Sequence, residues 1–277
     1  MKSIIAIRSY GDYVVLLYNL KLIKQPGFYK IYVSKHLEQL HNALDLEKME
    51  GIFFYFIDFS IQKGLLTFFT NRYLLSISTI KSLRQISDYF KNVDKSNIEI
   101  YIEQNKRIIF FNFFTSLQTK AIHNSKKNIY LSYQSFFGIK IDESANLPKS
   151  KTKKIILFPD SRKKEKELSE KLVQEISNGI KYNIIVAKFG KSKNNNAGKQ
   201  VYYNNFKALV ELIKESDLII SSDSLPAHIA QYYQKSNWVI FNKEINHEWL
   251  TPFGIDNETY CLSEDIIPLV KYVNSIC

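Results

Sequence analysis

Cysteine is nearly absent from this chain of 277 residues, with only Cys261 and Cys277. Two cysteines are too few for a disulfide framework and show no metal-ligand spacing, so a small secreted scaffold is excluded and a reducing compartment is expected. Glycine (9) and proline (6) are scarce, which excludes collagen-like and low-complexity disordered chains. Long apolar runs are missing too. The greasiest stretch, Gly51 to Phe59, is short and broken by Asp58, far below a membrane span. The apolar core near the N-terminus, Ile4 to Ile7, is too short for a signal peptide. A cytoplasmic protein is the expectation, and peripheral contact with the inner face of the plasma membrane is compatible with it. No acidic metal motif of the Asp-x-Asp type stands out, and internal repeats are not evident.

What the chain does contain is positive charge and aromatic bulk. Lys plus Arg outnumber Asp plus Glu by 38 to 27, a net charge of +11, and there are 19 Phe and 18 Tyr. Such a balance favours anionic partners: phosphorylated substrates, an acidic membrane face or nucleic acid. No basic stripe carries interleaved aromatics, so nucleic acid ranks low. A solvated lysine-rich surface is the plain alternative.

Short apolar runs alternate with helical segments. Strands are read at Ser3–Ile7, Phe28–Val33 and Ile52–Ile57. A Gly11-Asp12 turn and cap opens a helix over Tyr13–Ile23, and further helices are read at Lys35–Met49, Ile61–Phe69 and Ser78–Phe90. Ile98–Phe114 holds two apolar runs, read as a hairpin or two parallel strands, and Tyr130–Phe137 as a helix or extended connector. Asn146 to Lys154 is polar, basic and proline-containing, as a linker would be. Beyond it come strands at Ile155–Phe158, Tyr182–Ala187, Leu218–Ser221 and Trp238–Phe241, with a short extended piece at Val201–Tyr203. Helices follow at Lys164–Gly179, Phe206–Glu215, Pro226–Tyr233 and Ser263–Ile276. The alternation implies parallel sheets covered on both faces and two Rossmann-like α/β domains facing a cleft. The domains are placed at 1–150 and 151–262, with a C-terminal helix over 263–277.

Four constellations could carry chemistry. Asp223-Ser224-Leu225-Pro226-Ala227-His228-Ile229-Ala230 follows an apolar strand and opens a helix. Asp223 or Ser224 can cap that helix, Pro226 sits in its first turn, and the remaining N–H groups and the helix dipole suit a diphosphate. His228 could reach the same anion, or it could be an ordinary core histidine. Gly11-Asp12 places a carboxylate at the end of the first strand, where it could serve as a general base or merely cap a helix. Phe158-Pro159-Asp160-Ser161-Arg162-Lys163-Lys164 offers a hydroxyl and three cations to a phosphate, or a solvated helix start. Trp249-Leu250-Thr251-Pro252 makes a rigid apolar loop that could line a cleft or pack an edge.

Taken in this order, the four resemble the heptosyltransferase-like glycosyltransferases of family nine. That family typically shows Asp-Thr/Ser-Gly-x-x-His-x-Ala at the octamer. Asp223, Ser224, His228 and Ala230 match, and Leu225 stands where glycine is usual. The resemblance covers about Ile155 to Gly254 and residues 3 to 15. It implies a GT-B architecture, a C-terminal helix returning toward the first domain, and inverting, metal-free transfer of a sugar. The donor would be a nucleotide-sugar and the acceptor a lipopolysaccharide core, glycolipid or related bacterial surface glycan. No cofactor or metal is implied, and contact with an anionic membrane is compatible.

By the same resemblance Asp12 would be the general base. Ser161 with Lys163 or Lys164 would hold the diphosphate, Asp223 would contact the donor sugar or orient the loop, Ser224 to Pro226 would border the phosphates, and His228 would assist. Leu225 puts a side chain where backbone should approach phosphate, and Phe189-Gly190-Lys191-Ser192-Lys193 offers cations where the family often has an acid. Neither departure allows the donor sugar to be named. A nucleotide-sugar epimerase or hydrolase of similar fold and a non-catalytic binding subunit are the alternatives.

Overall fold

The computed structural model describes residues 1–7, 9–23, 27–46, 49–58, 77–91, 99–104, 108–123, 127–139, 154–190 and 200–276. Two compact units divide the chain, Met1–Lys140 and Ile141–Cys277. The expected helix at Ile61–Phe69 and nearly all of the expected linker lie outside the described residues.

The first unit carries a five-stranded parallel sheet of order β3-β2-β1-β4-β5, from β1 (Lys2–Ala6), β2 (Tyr29–Ser34), β3 (Ile52–Ile57), β4 (Glu99–Gln104) and β5 (Thr119–His123). Helix α1 (Tyr10–Lys21) is buried at every position from Asp12 to Leu20. Its run Tyr13-Val14-Val15-Leu16-Leu17-Tyr18 has no polar face, which is how a helix covered on all sides reads. Its one amide in that stretch, Asn19, turns inward and donates to the Val15 carbonyl at 2.8 Å. Helix α2 (Glu38–Ala43) follows a 3-10 turn at Lys35–Leu37. The expected helix to Met49 stops short, because Asp45 takes a left-handed φ of 45°. Helices α3 (Ile77–Lys91) and α4 (Ile108–Thr115) bury Leu83, Ile86, Phe90 and Phe111 in one core with Ile5, Ile100 and Ile102 of the sheet and with Ile7 just beyond β1. Helix α5 (Ile129–Phe137) packs against α1 and ends at Gly138, φ 66°.

Two expectations change here. Gly11 and Asp12 are not a turn: Ser9 is the N-cap, so both lie in the first turn of α1. The second apolar run of Ile98–Phe114 is helix α4 rather than a strand. Its aromatic and β-branched residues favour strands locally, but Ile108, Phe111 and Phe114 recur every three residues and meet the core on one side.

The second unit holds a six-stranded parallel sheet of order β11-β10-β9-β6-β7-β8, from β6 (Ile155–Phe158), β7 (Ile184–Phe189), β8 (Gln200–Tyr203), β9 (Leu218–Ser222), β10 (Ser236–Phe241) and β11 (Tyr260–Leu262). Strands β6, β9 and β10 are buried at every residue, as central parallel strands must be. On one face α6 (Glu170–Gly179) and α10 (Ile267–Ile276) pack Leu172, Ile176, Leu269 and Val273 over Leu157, Ile220 and Trp238. On the other lie α7 (Phe206–Lys214) and α8 (Leu225–Tyr232). The expected helix Lys164–Gly179 is divided: Lys164–Lys166 form a 3-10 turn, and α6 starts after Ser169, whose hydroxyl accepts from Leu172 N at 3.2 Å. Strand β11 and the short helix α9 (Pro252–Asp256) were not anticipated.

His41 of α2 is enclosed by aromatics. Its Nδ1 lies 2.6 Å from the Tyr13 hydroxyl, and its ring meets Phe54 and Phe56 at centroid distances of 4.7 and 4.9 Å. Burial pushes the imidazole down from 6.5 to about 4, so near pH 7 it lacks the second ring proton that would make it imidazolium. The folded state therefore binds this proton less tightly than the unfolded chain. Its contribution to stability is complete above about pH 6.5 and is lost as pH falls toward about 4. Denaturant melts at pH 7 and pH 5 should show a larger loss for wild type than for His41→Gln; equal losses would remove His41 as the cause.

Candidate nucleotide-sugar site

Both sheets reverse strand order at one place: between β1 and β4 in the first unit, and between β6 and β9 in the second. In open α/β sheets the carboxyl ends of the strands at such a switch point are where ligands bind. Three of the four sequence candidates fall at these two points, and the Trp249–Pro252 loop follows β10 instead.

In the second unit β6 and β9 run in register from Ile155↔Leu218 to Phe158↔Ser221. The loops that leave them therefore emerge side by side. From β9 the chain passes through Asp223 and Ser224 into α8. Ser224 occupies the N-cap position, yet its side chain makes no capping bond. Its hydroxyl instead accepts from Ser222 Oγ at 3.1 Å and donates to the Ser222 carbonyl at 3.2 Å. Neither expected cap is thus realised. Asp223 turns to the Lys166 ammonium, and the two form a hydrogen-bonded ion pair. Leu225 and Pro226 open the first turn, Leu225 half-buried and Pro226 buried. His228 is buried, 5% exposed.

Lys166 was not among the expected residues. Lys163 and Lys164 are exposed, and Lys163 N donates weakly to Ser161 Oγ at 3.4 Å. Lys166 is the cation of the loop that the structure brings to Asp223, 57 residues away. A sequence signal existed: Ser169-Glu170 is a helix-start pattern, which ends the loop there and leaves Lys166 in it. Asp160 of the same loop accepts from Phe189 N at 2.5 Å and ties the loop to the end of β7. Burial, then the charge of Asp160, raises the Tyr203 phenol beyond its usual range. Lys191 to Lys193 lie outside the described residues.

The Trp249–Pro252 loop buttresses α8. Leu250 packs with Ala227, Val239 and Phe241. Thr251 caps α9 and donates to Asn237 Oδ1 at 2.8 Å, and Gln231 of α8 accepts from Phe253 N at 3.0 Å. This buried polar lattice sets the position of α8 from behind.

In the first unit Asp12 sits at the third helical position of α1. Its Oδ2 accepts from Ser9 N at 3.2 Å and from the Ser9 hydroxyl, completing a capping box. The pattern Ser9-x-x-Asp12 was visible in the sequence as a helix-start signal. Asp12 is 1% exposed. The two switch points thus differ: α1 begins with its own carboxylate, α8 with a lysine–aspartate ion pair.

No family model matches the sequence. No curated protein matches it either. Solved structures match over the whole chain. Heptosyltransferase WaaC of E. coli with ADP has a TM-score of 0.60 at 10% identity, covering 100% of both chains. A glycosyl transferase of family 9 from Veillonella parvula DSM 2008 scores 0.60 at 9% identity, covering 100% of this chain and 89% of that one. The ADP-heptose lps heptosyltransferase II of E. coli scores 0.57 at 11% identity over 99% and 98%. The chain has the heptosyltransferase-like GT-B fold. Within this GT-B fold, Lys166 and Asp223 stand at the switch point of the second Rossmann-like unit. Among the described residues, no group of three or more His, Cys, Asp and Glu could hold a metal ion.

The arrangement offers an ammonium group and an uncapped helix start for an anion, and a carboxylate beside them to accept from sugar hydroxyls. The Lys166–Asp223 pair is partly exposed, 34% and 10%, so it adds no more than about 1 kcal/mol to stability. Asp223→Asn should therefore lower the melting temperature by no more than about 4 °C; a large drop would make the pair structural rather than chemical.

Proposed function

We propose that the protein is an inverting glycosyltransferase that moves a sugar from a nucleoside-diphosphate donor to a lipopolysaccharide core or related bacterial surface glycan. The observation that carries the reading is the Lys166–Asp223 pair at the uncapped start of α8, in a chain sharing its fold end to end with heptosyltransferase structures. One of those structures is solved with ADP, which supports a nucleoside diphosphate here.

The second unit would hold the donor and the first the acceptor. As the glycosidic bond of the donor breaks, negative charge gathers on the leaving diphosphate. The Lys166 ammonium and the α8 N–H groups stabilise that charge where it develops. Ser161, Lys163 and Lys164 border the same loop and extend the cationic rim, and Leu225, at the first position of α8, limits how closely the backbone meets phosphate. Asp223 orients the sugar, and His228 supports the first turn from its buried side. Asp12 would take the acceptor proton as its oxygen attacks the anomeric carbon from the face opposite the leaving group, which gives inversion. A net charge of +11 favours working at an anionic membrane face, on the cytoplasmic side where nucleotide-sugars are made.

The capping box favours a second reading, a relative that binds nucleotide without transfer, because it gives Asp12 a purely structural task. Asp12→Asn separates the two. The amide oxygen still caps Ser9, but the base is gone. As a base, Asp12→Asn should lose about 10²–10⁴-fold in turnover with an unchanged melting temperature. Wild-type turnover in that variant would sink the base assignment. Melting scans with ADP, UDP, GDP, CDP and dTDP test the donor site itself. A cognate nucleotide at about 100 times its Kd stabilises by about 2.7 kcal/mol, and no shift with any of the five would count against donor binding.

A further inference from the structure

Asn242 follows β10, beyond the octamer and outside every sequence motif considered above. Its side-chain amide donates one N–H to the Glu165 carbonyl and the other to the Glu167 carbonyl, each at 2.9 Å. These carbonyls flank Lys166. The strand that delivers Asn242 is paired to β9, so β10 reaches past the start of α8 to grip the loop that emerges from β6. The adjoining backbone is itself anchored: Asp223 N donates to Ile240 O at 3.3 Å, and Ser263 N donates to Phe241 O at 2.8 Å. One end of the clamp therefore rests on the sheet, and the other holds a single 3-10 turn.

We infer that Asn242 is a positioning residue for donor binding: its two bonds hold the Lys166 turn so that the ammonium stays at the start of α8 before any ligand arrives. The inference rests on the donor-site reading given above. The physical reason is entropy. A lysine carries a large rotamer freedom, and a loop of successive charged residues, Arg162 to Glu167, has little apolar surface to order it. In the described loop the buried residues are Pro159 and Leu168 at its two ends, joined by a bond from Leu168 N to Pro159 O at 3.0 Å. Without the clamp, the turn between Pro159 and Leu168 must be ordered at the expense of binding. With it, the cation is pre-organised. Asparagine suits this task because its planar amide presents two N–H donors to two carbonyls of one turn, which aspartate cannot do.

The experiment is a double-mutant cycle read by calorimetric titration of ADP, UDP, GDP, CDP and dTDP into wild type, Asn242→Ala, Lys166→Met and the double variant. Wild type should bind at least one of the five. Asn242→Ala should weaken that binding by about tenfold, Lys166→Met by tenfold or more, and the double variant should match Lys166→Met to within about twofold. A merely structural role would not vanish when Lys166 is removed. Trypsin gives a second readout that needs no ligand: cleavage after Arg162 to Lys166 should accelerate in Asn242→Ala while the melting temperature stays near wild type. Should the alanine variant fold poorly, Asn242→Asp keeps the side-chain volume, removes both donors and should show the same losses. If wild type binds none of the nucleotides, the donor-site reading falls and takes the clamp with it. If wild type binds and Asn242→Ala binds equally well, or if the two losses simply add, the clamp alone is overturned.

Discussion

The parallel pairing of β6 with β9 is the contact on which the rest of the second unit depends. These strands are 63 residues apart between Ile155 and Leu218, both wholly buried, and joined by a ladder whose register ends at Phe158↔Ser221. That register delivers the loop after β6 and the turn after β9 to the same edge. A slip by one residue would move one loop by about 3.3 Å and reverse which side chains enter the core. Neither the Lys166–Asp223 contact nor the grip of Asn242 would survive it. The buried apolar residues on both faces of the sheet make the slip costly, so a hydrophobic constraint holds an electrostatic geometry.

The same topology is used twice with different charge arrangements. In each unit a helix begins just past the strand at the switch point. In the first, Ser9 and Asp12 satisfy the helix start internally, and a buried carboxylate occupies the place where an anion would otherwise be attracted. In the second, the N-cap serine bonds back to its own strand, and a lysine from the adjacent loop pairs with Asp223 just before the helix. Under the proposed function, similar backbones would serve a proton acceptor at one end and a phosphate at the other. A two-substrate transfer needs this division, because a leaving diphosphate and an attacking hydroxyl make opposite electrostatic demands.

Much of this was legible beforehand. Central strands such as Ile155–Phe158 and Leu218–Ser221 are short unbroken apolar runs between polar turns, and such runs have few alternatives in an alternating α/β chain. The octamer from Asp223 was readable as a strand-to-helix turn because its serine and proline sit where a helix start wants them. The weaker readings share one cause. Ile108 to Phe114 favour strand locally, yet form a helix because Ile108, Phe111 and Phe114 meet an existing core on one side. The division of Lys164–Gly179 turned on a single cap at Ser169, outweighed in a sequence reading by the charge run before it. Strand β11, three residues long, carries too short a pattern to stand out.

Sequence by itself determined the fold class, the two-unit repetition of strand and helix, and the two strand ends where chemistry could be placed. These depend on local periodicity and on turn residues, which are written consecutively in the chain. Tertiary structure decided which residues meet. It set Asp12 in a capping box, gave Lys166 rather than Lys163 or Lys164 to Asp223, and brought Asn242 across two neighbouring strands to hold that lysine's turn. Those pairings follow from strand order and register in the folded sheet, and strand order is settled by burial among distant residues, which no local pattern encodes.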